Sequence, residues 1–218
     1  TQVNKFNDSI HLTMENIDYP TKIKNSALTF IRHGQTDSNL GGIWQGHIDN
    51  PLNETGVTEA GLLYNLFRDY DLNISSPYKR AHQTLSLIIN NDIQTSNELK
   101  EMNLGKWEGL TTTEILEKYQ EQFIEALFLN HKSKYGIDGE SIYEAGSRVE
   151  KLINKLENNK ILMASHGGTI KSAVTKLIQS PESNAAAAFT IPNNLGVSCL
   201  VPKAVSYTHL TLPTNQCV

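Results

Sequence analysis

The chain has 218 residues, 39% of them hydrophobic, which is enough to bury one sizeable core and a cap of inserted helices within a single domain. A formal net charge of −4 and a pI near 6.0 argue against broad binding to nucleic acid or acidic membrane, so an anionic ligand must be held locally. Two cysteines, Cys199 and Cys217, build neither a disulfide framework nor a zinc-site spacing, and no window approaches the roughly 20 apolar residues that cross a bilayer. The natural reading is a reducing cytoplasm, with no membrane or nucleic-acid partner.

Residues 1 to about 24 are polar, Asn-rich and without clear period, and they begin at Thr1 rather than Met, so they read as an extension, flexible and outside the domain. The domain itself is expected over 25–203. Ala27, Leu28, Thr29, Phe30 and Ile31 form a short apolar run of strand formers that stops at Arg32, His33 and Gly34, a buried strand running into a loop. After a loop rich in Gly and Asn, Asn53 is placed to cap a helix in which Val57, Ala60, Tyr64 and Phe67 recur at helical spacing, ending near Tyr70. Residues 71–75 read as a second strand. Ser76 and Pro77 then offer an N-cap with proline at the first helical position, which puts Arg80 in that helix's first turn.

Residues 93–95 form a short strand pattern, Thr111 and Glu114 a capping box, and 141–156 a long helical pattern. The segment of about 111–139 is expected to cap the site. Residues 160–165 are the clearest late strand; they meet His166, Gly167 and Gly168, and 169–178 reads as a helix. Cys199 sits in an apolar strand pattern over 197–201, where a buried, inert thiol is expected. The tail from Ala204 to Val218 does not continue the pattern and resembles a translated sequencing adapter, so it is expected to be non-native or disordered. Strands alternating with helices imply an α/β fold with a mainly parallel sheet.

Two of these strands end in a histidine followed by glycine, and a third is followed closely by Arg80. Ligands of open α/β sheets bind beyond the carboxyl ends of the strands, so Arg32, His33, Arg80 and His166 are expected to share one pocket. Arginine pairs bidentately with phosphate oxygens, and glycines such as Gly34 and Gly167 let backbone N–H groups approach an anion. Imidazole, with a reference pKa of about 6.5, is nucleophilic near neutral pH without a metal or cofactor.

The segments LTFIRHGQTDSN, WQGHIDNPLNETG, SSPYKRAHQT, ELKEMNLGKWEGL, DGES and LMASHGG, in that order from about Leu28 to Val201, resemble those of the histidine phosphatase superfamily, which has the phosphoglycerate-mutase-like fold. The resemblance implies a three-layer α/β/α sandwich with a small helical cap. It makes His33 the nucleophile that becomes phosphohistidine, Arg32, Arg80 and His166 the groups that bind the transferring phosphoryl, and Glu101 the proton donor. It adds Asn39, Gln45 and Gly46 to the phosphate pocket and sets Asn193 as a pocket-facing asparagine. Fixed cations aimed at the equatorial oxygens would supply most of the stabilisation.

An Arg-His-Gly tripeptide alone would be an ordinary loop; the ordered series around it carries the reading. Glu108 is the rival of Glu101 as proton donor. Trp44 and Trp107 are expected to anchor their loops to the core, and His11, His47, His82, His131 and His209 to be scattered surface residues. The segment EMNLGKWEGL resembles the broad-specificity and α-ribazole phosphatases, which makes a phosphomonoester phosphatase acting on a small phosphorylated metabolite the first reading. A phosphoglycerate mutase and a non-catalytic phosphate-binding scaffold are the alternatives, and a homodimer is left open.

Overall fold

The computed structural model describes residues 12–13, 27–157, 160–178, 191–200 and 206–210. Its strands are β1 (Leu12–Thr13), β2 (Ala27–Arg32), β3 (Leu72–Ser75), β4 (Gln94–Thr95), β5 (Lys160–Ser165), β6 (Val197–Leu200) and β7 (Ser206–Leu210). They form one sheet in the order β1-β7-β6-β2-β5-β3-β4. The pairs β2–β5, β5–β3 and β3–β4 are parallel, and β6 and β7 follow antiparallel on the other side of β2. Arg32 is level with Ser165, and Ser75 with Ala164, so the three central strands end at a common edge.

Strand alternation sends neighbouring side chains to opposite faces, and each face has its own helical cover. Leu28, Phe30, Ile161 and Met163 pack with Val149 and Ile153 of α5 (Ile142–Lys155) and with Ile170 and Val174 of α6 (Gly167–Leu177). Ile31, Leu162 and Ala164 pack on the other face with Ala60 of α2 (Glu54–Leu62) and Leu85 and Ile88 of α3 (Lys79–Ile88). The result is the three-layer α/β/α sandwich. A third cluster, built on Met102, Trp107, Ile115, Phe123 and Tyr135, lies in the segment between β4 and α5, which carries α4 (Thr112–Ile124). There Trp107 is a fully buried anchor, and Trp44 packs edge-on against it.

Two capping residues behave as their sequence implies: Asn53 accepts the Gly56 N–H, and Thr111 forms a capping box with Glu114; Ser141 and Glu144 form another at the start of α5. Other boundaries move. The helix begun at Asn53 stops at Leu62 instead of reaching Tyr70, because the chain turns into the left-handed region at Asn65, φ 65°, whose N–H donates to the Ile88 carbonyl. The helix after β3 starts at Lys79, with Tyr78 in the cap position and no side-chain cap; the Ser76 hydroxyl accepts the Tyr78 N–H at 3.3 Å and also meets His166. Arg80 stays in its first turn. Helix α6 begins at Gly167, two residues before its periodicity.

Residues 206–210 of the expected tail add β7 to the sheet beside β6, and Leu12–Thr13 of the expected extension pairs with β7; the rest of both segments lies outside the described residues. His131, grouped by sequence with surface histidines, is only 8% exposed and packs edge-on against Tyr143. Cys199 is a half-buried free thiol within 3.5 Å of the Thr29 hydroxyl, and burial pushes its pKa up.

Phe30, fully buried at the centre of the sheet, tests the core. Phe30→Ala should destabilise by about 3–5 kcal/mol, read as a lower urea midpoint, while Leu62→Ala at an exposed position should stay within about 0.5 kcal/mol.

Candidate active site

Because β2, β5 and β3 end level, the residues that follow them are set side by side. His33 follows β2, His166 follows β5 as the residue before α6, and Ser76 follows β3, with Arg80 one helical turn beyond. A cavity of about 300 Å³ opens there, lined by Arg32, His33, Arg80 and Glu101 from the sheet edge and its loops, and by Trp44 and Tyr135 above. His33 and His166 lie with ring centroids 5.2 Å apart; His166 is fully buried and His33 2% exposed.

The tautomers follow from the partners. His33 Nδ1 is 2.7 Å from the Gly34 carbonyl, which can only accept, so Nδ1 carries the proton and Nε2 keeps the lone pair. For His166 the order reverses. Its Nδ1 accepts from Arg80 Nε at 3.1 Å, so its Nε2–H donates to the Ser76 hydroxyl at 2.8 Å. Burial, reinforced by the arginine charges, holds both rings well below the usual histidine pKa and therefore neutral at physiological pH. A neutral imidazole with an uncommitted Nε2 can attack an electrophilic phosphorus.

Arg80, 1% exposed, is fixed on three sides: besides His166, it donates to the Ile48 carbonyl at 2.7 Å and to the Gly46 carbonyl at 3.0 Å. Arg32 donates to the Pro192 carbonyl at 2.7 Å and leaves its Nε buried with no partner among the described residues. An orphaned buried donor carries the cost of its lost water, which an incoming anion would relieve. Burial pulls both guanidiniums below the usual arginine range; Glu101 opposes the shift in each, and Asp49 and Glu108 oppose it further at Arg80.

Asn39, Gln45 and Gly46 line the cavity as expected. The Asn39 carbonyl oxygen is saturated by the Thr36 N–H, the Thr36 hydroxyl and Asn194, so its amide N–H groups are the end left for the cavity. Gly46 is left-handed at φ 52°, and a Cβ there would collide with the Glu108 carboxylate.

Glu101 reaches the first turn of α6. Its Oε1 accepts from the Met102 N–H at 2.9 Å, the Thr169 N–H at 3.0 Å and the Thr169 hydroxyl at 3.1 Å, whereas Oε2 meets only the Gly168 N–H at 3.3 Å. Oε2 is thus the oxygen with capacity for a proton. Glu108 does not line the cavity; its Oε1 accepts the backbone N–H groups of His47 and Leu104 at 3.0 and 3.2 Å and ties two loops together. Between the two rivals, geometry places Glu101 at the cavity.

Two expectations are corrected. Gly34 does not offer its N–H to the cavity, because that group donates to Thr84 Oγ1 at 2.9 Å, and the residue's small size serves its approach to Gly56. Asn193 is exposed and away from the cavity: the turn in which Gly196 N–H bonds its carbonyl swings it outward, and Asn194 instead donates to the His33 and Gly34 carbonyls at 2.9 and 3.1 Å. Gly167 does line the cavity, where a Cβ would strike Ile191. Sequence reasoning missed Ser76, Asn194, Thr169 and Arg148. Arg148 pairs with Glu140 at 2.9 Å and donates to the Lys100 and Glu98 carbonyls and to Thr169, bracing the loop that carries Glu101. The Glu140–Arg148 spacing across the N-terminus of α5 was the available signal. Among the described residues, no group of three or more His, Cys, Asp or Glu is placed to hold a metal ion.

Such a cleft, cationic at its floor and set at the carboxyl edge of a sheet covered on both faces, is the architecture of an α/β enzyme. A family model, the histidine phosphatase superfamily (branch 1), matches residues 28–212. The chain is 29% identical over 163 residues to an adenosylcobalamin/α-ribazole phosphatase of Escherichia coli, covering 71% of this chain and 80% of the relative. It is 33% identical over 169 residues to a 2,3-bisphosphoglycerate-dependent phosphoglycerate mutase of Cytophaga hutchinsonii, covering 71% and 79%. A solved structure, mycobacterial hydrolase 1, superposes with a TM-score of 0.74 at 26% identity, covering 80% of this chain and 91% of that one. The protein belongs to the histidine phosphatase superfamily and is an enzyme. No helix among the described residues is long and apolar enough to cross a membrane.

The buried neutral histidines couple stability to pH. Their folded pKa values are depressed, so the unfolded chain takes up protons first, at about pH 6.5; the stability is fully present above that value and is lost as pH falls below it. Each ring should steepen the loss by up to about 1.4 kcal/mol per pH unit. Urea midpoints between pH 7.5 and about 5.5 should therefore fall, and His166→Asn, which keeps an acceptor for Arg80, should flatten the slope; an unchanged slope would show that His166 does not set it.

Proposed function

We propose that the protein is a metal-independent phosphomonoester hydrolase of the cytoplasm that acts on a small phosphorylated metabolite through a phosphohistidine on His33. The observation that carries this reading is the His33 ring, held neutral with Nδ1 bonded to Gly34 and Nε2 uncommitted, in a cavity shared with the buried Arg80 and the half-buried Arg32. Nε2 attacks phosphorus and the ester P–O bond breaks, its electron pair leaving with the alkoxide. A proton on Glu101 Oε2 passes to that alkoxide. Arg32 and Arg80 hold the equatorial oxygens, and His166, buttressed by Arg80 and Ser76, completes the pocket wall. Water then attacks the phosphohistidine and gives a proton to Glu101; the P–N bond breaks, its pair returns to Nε2, and inorganic phosphate leaves.

The names of the relatives cover a phosphatase and a mutase that could use the same phosphohistidine. The segment EMNLGKWEGL, which resembles the phosphatase branch, favours hydrolysis. The test compares phosphate release from an alkyl and an activated aryl phosphate in chelator, alongside 3-phosphoglycerate with its bisphosphate primer. Wild type should release phosphate and His33→Ala should not. Glu101→Gln should lower kcat on the alkyl ester by about 10²–10⁴-fold and much less on the aryl ester, whose leaving group needs no proton, while Glu108→Gln should show no such split. Isomerisation of phosphoglycerate without net release would make the protein a mutase instead.

A further inference from the structure

One cavity residue is left without a task by this mechanism. Lys171 lies in α6, four residues after Gly167 and three after Gly168, so it shares their face about one turn, roughly 5–6 Å, further along the axis. It lines the same cavity as Arg32, His33 and Glu101. Helical side chains lean toward the helix N-terminus, which here is the end that meets the histidines.

Among the described residues no hydrogen bond, ion pair or ring contact engages the Lys171 ammonium. Other lysines nearby are engaged: Lys176 pairs with Glu150, Lys134 with Glu144, and Lys100 lies over the Tyr78 ring. Burial alone lowers its pKa; no carboxylate charge opposes the shift, as Glu101 does for the arginines. The cavity it lines also has Met102, Leu104, Ile142 and Ile191 in its wall. A half-buried cation without a partner charge is unfavourable until an anion comes to it.

We propose that the Lys171 ammonium receives a carboxylate of the substrate's leaving group, so that the metabolite is a small phosphorylated carboxylic acid. The inference rests on the phosphomonoester reading given above. Arg32 and Arg80, with their paired donors, suit the doubly charged phosphoryl group; a single ammonium matches one negative charge. The cavity of about 300 Å³ has room for a short acid beside the phosphoryl group.

Binding is measured by calorimetry in a His33→Ala background, so that turnover cannot intervene, with 3-phosphoglycerate and glycerol 3-phosphate, which differ by a carboxylate in place of a hydroxymethyl. 3-Phosphoglycerate should bind about tenfold or more tightly, a gain of about 1.4 kcal/mol. Adding Lys171→Met should bring the ratio near one, and Lys171→Arg should restore most of it. A preference that survives Lys171→Met, or no preference with Lys171 present, overturns the proposal. Aryl phosphate hydrolysis by the wild type alongside such a result confines the failure to Lys171. If neither ester binds, the proposal falls together with the phosphate-site reading.

Discussion

Two guanidiniums, the buried Arg80 and the half-buried Arg32, are brought to one sheet edge, and Glu101 is the carboxylate whose charge acts on both, joined at Arg80 by Asp49 and Glu108. Much of the site's behaviour follows from that pair of cations. Their charge, added to burial, forbids a proton on either neighbouring imidazole, so the rings remain neutral and one of them stays basic at Nε2. The same charge draws a phosphate ester into a cavity on a chain of net charge −4, where the bulk field would repel it. Arg80 also fixes geometry: one side chain joins His166 to the carbonyls of Gly46 and Ile48, so the cation is preorganised before any ligand arrives.

The acidic partner is supported from a different direction. Glu101 sits on a loop, and loops hold side chains loosely unless they are tied down. Here Thr169 binds both the Lys100 carbonyl and Glu101, and Arg148 binds Thr169, Glu140 and two carbonyls of the same loop. A partly buried ion pair of this kind adds little net stability, because desolvation offsets its attraction. Its contribution is placement, a few hydrogen bonds that set the Glu101 carboxylate against the first turn of α6, with Oε1 held by three donors and Oε2 by the longer bond from the Gly168 N–H.

The features legible in sequence were those written in local pattern. The apolar runs at 27–31 and 160–165 end in His-Gly because parallel strands end level, and that alone predicts the shared edge. Capping residues Asn53 and Thr111 act over three positions and were equally readable, whereas the capping box of Ser141 with Glu144 went unread at the start of a helical pattern that was seen. Illegible features depend on partners far along the chain or on a single backbone angle. Ser76 has the composition of a helix cap, and nothing local records that its hydroxyl also meets His166, 90 residues away. Periodicity ran past Leu62 because nothing in Tyr64 or Phe67 records the positive φ at Asn65. The choice between Asn193 and Asn194 turned on the direction of one tight turn.

The claim on which the account stands is that His33 Nε2 forms a covalent bond to phosphorus. Mixing wild-type protein with an excess of an activated aryl phosphate, quenching in alkali where phosphohistidine survives, and mapping the peptides by mass spectrometry measures this directly. The account predicts a phosphoryl group on the peptide that contains His33, lost on mild acid treatment and absent from His33→Ala. Turnover of the ester with no phosphorylated peptide, or with the group on another residue, would contradict it.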